Sequence, residues 1–398
     1  MKKIIKTITV LLLTLMIVSP YAVYADEGSN VDKYSKGSIV IDQDSGRVLL
    51  AKNPDDKLPL ASLTKMMTFT LAIEAIENGE VKPTDLVTID KEIASTKGSS
   101  YNLKVGEKVP LIELMKGLMI VSGNDAAVAI AKYVGGTKAE FVDEMNVKAN
   151  ELGMKNTKYY NVNGLPIYDM KDTKKPATEN VSSARDIATL GKYMMDNYEK
   201  QVTSITDMQI YTNPDRNFVK GNTNGALMGM IPEVDGIKTG YTGNAGYCLS
   251  FSMMIDKDEK NDKKRRVIGV TLGANHKNKR LSAAADMLKY VKKTTSSKKV
   301  QTKDSFIGKK YIGGISDLEV MMKTKDDFYA VLKDGEKLKS DIKIDKLSYP
   351  VKNGQKIGEI KYTNENGEVL GVKDVVSANN VDSISISNRL KLKLFNEK

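Results

Sequence analysis

With Cys248 as its only cysteine, the chain can close no internal disulfide. His276 is likewise the only histidine, and tryptophan is absent. One histidine and one cysteine argue against a zinc site of the usual His/Cys type, and neither a metal nor any other cofactor is expected. The same scarcity bears on covalent catalysis. A Ser-His-Asp triad would have to rest on His276, whose neighbours Asn275, Lys277, Asn278 and Lys279 read as a polar turn. Cys248 lies in the apolar stretch Tyr247-Cys248-Leu249-Ser250-Phe251 and reads as a small core residue rather than a nucleophile. If a serine acts as nucleophile here, lysine is the base to look for. Blocks of one charge are missing too. Lys and Arg interleave with acids along the whole chain, so no segment reads as a nucleic-acid arm and nucleic acid is not an expected partner.

What is present begins with Lys2, Lys3 and Lys6, the apolar run Ile8 to Val18, and the small-residue end Val23-Tyr24-Ala25 before Asp26. That layout predicts a secretory signal peptide over residues 1–25 and an exported protein, at the cell wall or the outer face of the cytoplasmic membrane. The run is short of the ~20 residues a membrane span needs. An uncleaved anchor is the alternative, and Pro20 with the small residues favours cleavage. Cleavage leaves 373 residues, enough for two domains, and lowers the formal charge from +11 to +8. A mildly basic surface suits an anionic envelope or wall polymer; solubility alone would also account for it.

Residues 26–36 read as loose. A hairpin follows over Ser38–Leu50, turning at Asp44-Ser45-Gly46. Helical spacing runs from Ser62 to Asn78, with Met66, Phe69, Ile73 and Ile76 near one face and Gly79 as the stop. Leu111–Val121 and Asp125–Val134 read as helices separated by Ser122-Gly123-Asn124, and further helices are expected at Lys138–Leu152, Ser183–Tyr198 and Arg280–Lys293. Strands return at Asp235–Thr242, Gly246–Ile255 and Val267–Leu272. Strands at both ends and helices between predict an α+β domain over 26–293, a sheet assembled from distant segments with a helical cluster packed on it. Thr294 to Lys299 reads as a polar linker. Beyond it, turn signals at Lys333-Asp334-Gly335, Asn353-Gly354 and Glu365-Asn366-Gly367 predict a small all-β domain over 300–385. In the tail, 386–398, Leu390, Leu392 and Leu394 alternate, which suits a strand better than a helix, though its basic and apolar content could still touch anionic lipid.

Three short motifs carry the chemistry: Ser62-Leu63-Thr64-Lys65, Ser122-Gly123-Asn124 and Lys238-Thr239-Gly240. Each is weak alone, since Ser-x-x-Lys recurs at Ser296–Lys299 and Ser340–Lys343, and Ser-x-Asn at Ser100–Asn102 and Ser377–Asn379. Order and setting raise the signal. Ser62 stands at a helix start, where free N–H groups favour developing negative charge. Lys65 is three residues on, a neighbour on the same face. Buried there, it would lose preference for its charge and accept the hydroxyl proton. The bland reading is a capping serine and a solvated lysine. Ser122 can relay a proton and Asn124 can hold a substrate amide, or the segment is an ordinary interhelix turn. Gly240 would let an extended peptide approach the strand edge, with Lys238, Thr239 and Thr242 donating to its carboxylate. The backbone N–H groups of Ser62 and Tyr241 would form an oxyanion hole. A plain edge strand with a protective lysine is the alternative.

Together with Asp235-Gly236-Ile237-Lys238-Thr239-Gly240-Tyr241-Thr242 and Ala245-Gly246-Tyr247-Cys248-Leu249, these motifs make the chain resemble the low-molecular-mass penicillin-binding proteins with D-alanyl-D-alanine carboxypeptidase activity. The resemblance covers most of the chain after residue 25. It implies a transpeptidase/β-lactamase-like fold: an antiparallel sheet with helices on both sides and a helical subdomain, followed by a small all-β domain. It implies release of the terminal D-alanine from peptidoglycan stem peptides ending in D-Ala-D-Ala, through an acyl-enzyme, and covalent inhibition by β-lactams. It assigns Ser62 as nucleophile, Lys65 as general base, Ser122 and Asn124 to the cleft, Lys238, Thr239 and Thr242 to the carboxylate, and Arg266 to the same carboxylate. Members commonly end in an amphipathic helix on the membrane surface, which the alternating tail does not match. Two other functions remain open. A class A β-lactamase would want aspartate where Gly123 stands and a deacylating glutamate on a loop not evident here. A non-catalytic wall-binding protein of the same fold would not need all three motifs.

Overall fold

The computed structural model describes residues 30–172 and 174–396; the expected signal peptide lies outside the described residues. The stretch read as loose up to residue 36 is tied down from Asp32, whose buried carboxylate accepts the backbone N–H groups of Tyr34 and Ser35, both at 3.0 Å.

The predicted hairpin forms from β1 (Gly37–Asp42) and β2 (Val48–Lys52). After it come helices α1 (Lys65–Glu77), α2 (Leu111–Met119), α3 (Asn124–Val134), α4 (Lys138–Glu151) and α5 (Ala184–Thr206). The chain then returns to strands β3 (Val234–Thr242), β4 (Gly246–Ile255) and β5 (Arg265–Ala274), and to helix α6 (Lys277–Thr294). The five strands form one antiparallel sheet in the order β2-β1-β5-β4-β3. Its first and last segments pair because alternate side chains feed two cores. Ile39 and Ile41 join Ile268 and Val270 under α1 and α5, whereas Val40 joins Leu249, Phe251 and Val267 under α6. The sheet is therefore covered on both faces. β3 is its last strand, and its free edge faces the segment that leads into α1.

Helix α5 passes Tyr198, where it was expected to stop; Tyr198 has a non-helical backbone (φ −137°, ψ 30°), and the helix resumes to Thr206. The expected linker over 294–299 is a correction. α6 runs to Thr294, and β6 (Thr295–Gln301) follows at once, paired with β9 below. Its composition is polar, but Thr295, Ser297 and Gln301 are buried. Arg265 donates to the Thr295 hydroxyl at 2.6 Å, and the Ser297 N–H donates to Asn261 Oδ1 at 3.0 Å, so burial leaves those groups paired.

The second domain is all-β, as expected. β7 (Phe306–Tyr311), β8 (Glu319–Thr324), β9 (Phe328–Lys333), β10 (Leu338–Ile344), β11 (Lys356–Asn364) and β12 (Val369–Ser377) provide a five-stranded sheet, β7-β8-β12-β11-β10, and the β6-β9 pair, around a core that includes Val320, Ile357, Ile360 and Val375. The tail is a second correction: Ile386–Asn396 is helix α7, not a strand. The Asn388 N–H donates to Ser385 Oγ at 3.2 Å in the manner of an N-cap, and Leu392 packs on the domain core.

Arg47, in the first hairpin, ties the domains together. Its buried guanidinium donates to Glu336 and Glu368, each at 2.8 Å, both carboxylates belonging to the second domain. Removing one partner of a buried ion pair strands the others' charge. Arg47→Ala should therefore cost about 3 kcal/mol of unfolding free energy, read from urea denaturation; a loss too small to measure would mean the two domains do not depend on this contact.

Candidate active site

Ser62 does not start a regular α-helix. It lies in a 3-10 turn, Ala61–Thr64, that feeds α1. Ala61 adopts a left-handed backbone (φ 48°), a conformation costing an L-residue ~1–2 kcal/mol. Three contacts hold it. The Leu60 N–H donates to the Asn180 carbonyl at 3.0 Å, Asn180 Nδ2 donates to Thr64 Oγ1 at 2.9 Å, and Gly164 lies so close that a β-carbon there would sit 1.9 Å from the Ala61 carbonyl oxygen. Gly240 meets the same turn. A β-carbon on it would be 3.0 Å from the Leu60 oxygen and 3.1 Å from the Ser62 nitrogen. The space at Gly240, expected to admit a substrate, is taken by the protein's own serine turn.

Lys65 is fully buried. Its Nζ lies 2.8 Å from Ser62 Oγ, 2.6 Å from Asn124 Oδ1 and 2.9 Å from the Asn163 carbonyl oxygen. Burial, followed by the charge of Lys238, holds the ammonium pKa well below its ordinary value, against a smaller opposing pull from Asp125. A neutral amine has two N–H groups and one lone pair. Two of the three partners, Asn124 Oδ1 and the Asn163 carbonyl, are acceptors only, so in the neutral amine they would take the two N–H groups and leave the lone pair for the Ser62 hydroxyl. Asn124 Nδ2 donates to the Lys97 carbonyl at 2.7 Å, which fixes the amide this way round.

Ser122 also has a left-handed backbone (φ 64°) and lines the cleft beside Ser62. Asp125, one residue past the motif, braces this turn. Its carboxylate accepts the Ser100 hydroxyl at 2.6 Å and the N–H groups of Tyr101 at 2.8 Å and Leu103 at 3.1 Å. The Tyr101 ring fills the space that a side chain at Gly117 would occupy, and a β-carbon at Gly123 would sit 2.8 Å from the Asp125 carboxylate.

Along β3, Lys238 is fully buried and donates to the Thr239 carbonyl at 3.0 Å; burial, then the Arg280 charge, pushes its pKa down to about 7. Thr239 lines the cleft, and the Thr242 hydroxyl meets the Glu179 carboxylate at 3.3 Å. The cleft is about 430 Å³, with Ser62, Ser122, Thr239, Tyr241 and Arg280 on its walls.

Arg266 is not among them. On β5 it pairs with Met254, whereas Lys238 stands across from Ser250 and through it from Val270, four residues or about 13 Å away along the strand. Arg266 is engaged by Asp235, by Glu199 at 2.7 Å and by the Ser252 hydroxyl at 2.9 Å, a structural cluster. The cleft's guanidinium belongs to Arg280 on α6. It is buried, donates to the Cys248 carbonyl at 3.4 Å, and among the described residues has no carboxylate partner. Sequence reasoning also missed Asn163, Gly164 and Asn180. The string Asn161-Val162-Asn163-Gly164 is a turn signal that could have flagged the first two. Among the described residues no cluster of histidine, cysteine or acids could hold a metal ion.

A covered antiparallel sheet with a serine–lysine pair at its edge defines a serine hydrolase of the transpeptidase/β-lactamase-like class. The chain belongs to the D-alanyl-D-alanine carboxypeptidase family, whose profile matches residues 25–276, and the penicillin-binding protein 5 C-terminal domain matches residues 296–383. D-alanyl-D-alanine carboxypeptidase DacF of Bacillus subtilis (strain 168) is 32% identical over 366 residues, 89% of this chain and 88% of that protein. Penicillin binding protein 5 from Haemophilus influenzae superposes with a TM-score of 0.73 at 27% identity, over 88% of this chain and 98% of the other. Penicillin-Binding Protein D2 from Listeria monocytogenes, in its ampicillin-bound form, gives 0.55 at 28% identity, over 65% of this chain and 96% of the other. The chain is thus a serine-type D-Ala-D-Ala carboxypeptidase of the low-molecular-mass penicillin-binding type.

Proposed function

We propose that Ser62 Oγ attacks the carbonyl carbon of the penultimate D-alanine in a peptidoglycan stem peptide while neutral Lys65 takes the hydroxyl proton. The observation that carries this is the fully buried Lys65 amine, its Nζ 2.8 Å from Ser62 Oγ and within 2.9 Å of two groups that can only accept, Asn124 Oδ1 and the Asn163 carbonyl. The tetrahedral oxyanion is held by the backbone N–H groups of Ser62 and Tyr241, a pairing supported by the approach of Gly240 to the Ser62 nitrogen. As the C–N bond breaks, Ser122 passes a proton to the departing amine, D-alanine leaves, and water hydrolyses the ester on Ser62. Asn124 holds the substrate amide as well as Lys65. The terminal carboxylate lies against Lys238, Thr239 and Arg280, whose two buried basic groups lack an acid of their own among the described residues. Thr242 closes that strand edge, and no role in it falls to Arg266.

A β-lactam carries a strained amide and a carboxylate in the same relation, so it acylates Ser62 and stalls there. The test is mass spectrometry of two products from one preparation: D-alanine from a diacyl-D-Ala-D-Ala peptide, and the tryptic peptide bearing penicillin. The expected label is on Ser62 and persists for minutes; a label elsewhere overturns the assignment, and turnover in well under a second makes the protein a β-lactamase.

We also place the protein outside the cytoplasm, on the signal-peptide pattern of residues 1–25. No described helix is long and apolar enough to cross a membrane. Peripheral contact with the outer face of the membrane suits α7, where exposed Ile386 and Leu390 stand one turn apart beside Arg389, Lys391 and Lys393.

A further inference from the structure

The cleft wall also carries an aromatic pair whose rings the reaction itself does not use. Tyr241 on β3 and Tyr247 on β4 are opposite one another in the strand register, and their rings stack with centroids 4.3 Å apart at 30°. The Tyr247 ring also faces the Arg280 guanidinium at 5.8 Å and the His276 ring at 6.2 Å, and Lys277 lies at the rim. Arg280 is buried and bonded to the Cys248 carbonyl, so it cannot swing aside without losing both its packing and that bond.

We propose that Tyr247, backed by Tyr241, is a specificity wall that limits the leaving group to a single, chain-terminal D-alanine and shuts out peptides that continue past it. The inference rests on the carboxypeptidase reading above, with the leaving carboxylate at Lys238, Thr239 and Arg280. A chain extended by one residue needs ~3.5 Å more room beyond that carboxylate carbon. The Tyr247 ring and the pinned Arg280 flank that path. Charge selects in the same direction, because a peptide bond in place of the carboxylate leaves the buried Arg280 cation facing a neutral group and Lys238 without the anion that favours its charge. Charge and shape can be separated, since trimming Tyr247 opens space while leaving Lys238 and Arg280 in place.

The experiment compares kcat/KM for a diacyl-D-Ala-D-Ala peptide with that for the same peptide extended by one glycine. The wild-type protein should prefer the terminal substrate by at least ~100-fold, toward the lower end of what leaving two buried polar groups unpaired costs. Tyr247→Ala should gain on the extended peptide, mainly through a lower KM, and reduce that ratio at least tenfold; Tyr247→Phe should keep the wild-type ratio. Penicillin acylation of each variant reports that the site is intact, and Tyr247→Val, which keeps a strand-forming residue, stands in should the alanine variant not acylate. A wild-type protein that cleaves both peptides equally, or acylating variants with an unchanged ratio, would overturn the wall. A wild-type protein that releases no D-alanine from the terminal peptide would instead overturn the carboxypeptidase reading beneath it.

Discussion

Ser62→Ala should slow D-alanine release by about 10⁴-fold or more and abolish the covalent penicillin adduct, because removing the nucleophile of a covalent hydrolase leaves only binding and oxyanion stabilisation. The cleft holds other hydroxyls, on Ser99, Ser122, Thr223 and Thr239, but of the hydroxyls among the described residues only that of Ser62 shares a hydrogen bond with the Lys65 amine. Ser99 is committed to the Ser122 carbonyl at 2.8 Å. The variant also separates chemistry from structure. A serine at a helix start often earns its place as a cap, and its loss then costs ~1 kcal/mol. Here the turn receives no side-chain cap bond. The melting temperature of Ser62→Ala should therefore stay within a few degrees of the parent. Unchanged D-alanine release would refute the assignment of Ser62, and a large drop in melting temperature would restore the capping role.

What could be read from the sequence was what is encoded locally. Ser62 and Lys65 are three residues apart, Ser122-Gly123-Asn124 breaks two helices, and Lys238-Thr239-Gly240 lies within one strand, so short-range spacing reveals each motif even though distant contacts hold the turns at Ala61 and Ser122. The hairpin at Ser38–Leu50 is legible in the same way, but only the fold shows that Ile39 and Ile41 face one core and Val40 another. The losses are contacts of long range. Lys65 meets Asn163, 98 positions away, through a backbone carbonyl that carries no residue-type signal. Arg266 and Arg280 are both arginines near the end of the domain, and only the strand register, unavailable before folding, tells the structural one from the one in the cleft. Polarity misled at Thr295 and Ser297, where hydroxyls are buried because Arg265 and Asn261 pair with that strand. In the tail, Leu390 and Leu392 alternate over too few residues to outweigh a cap at Ser385 and good helix formers after it.

Replacing Lys65 by arginine should cost acylation and D-alanine release about 10³- to 10⁴-fold, at the upper end of what a general base contributes. Arginine keeps a positive charge and cannot surrender its proton, so the variant asks whether position 65 serves as a base or as a fixed cation; retained activity would decide for the cation. The wild-type pH profile asks the same question without a mutation. The active form has Lys65 neutral, and its pKa is depressed. Acylation should therefore hold as pH falls toward that pKa and then drop tenfold per unit below it. Lys238 works with the opposite sign. It must be charged to hold a carboxylate, and in the free protein its pKa is about 7, so kcat/KM should decline again on the alkaline side, above roughly that value. The two limbs are linked, because the charge of Lys238 is one of the causes that depress Lys65. Lys238→Gln should weaken carboxylate binding, remove the alkaline limb and let the Lys65 pKa rise, carrying the acid limb to higher pH. An acid limb that stays in place in Lys238→Gln would mean that burial alone neutralises Lys65, and that the two buried amines titrate independently.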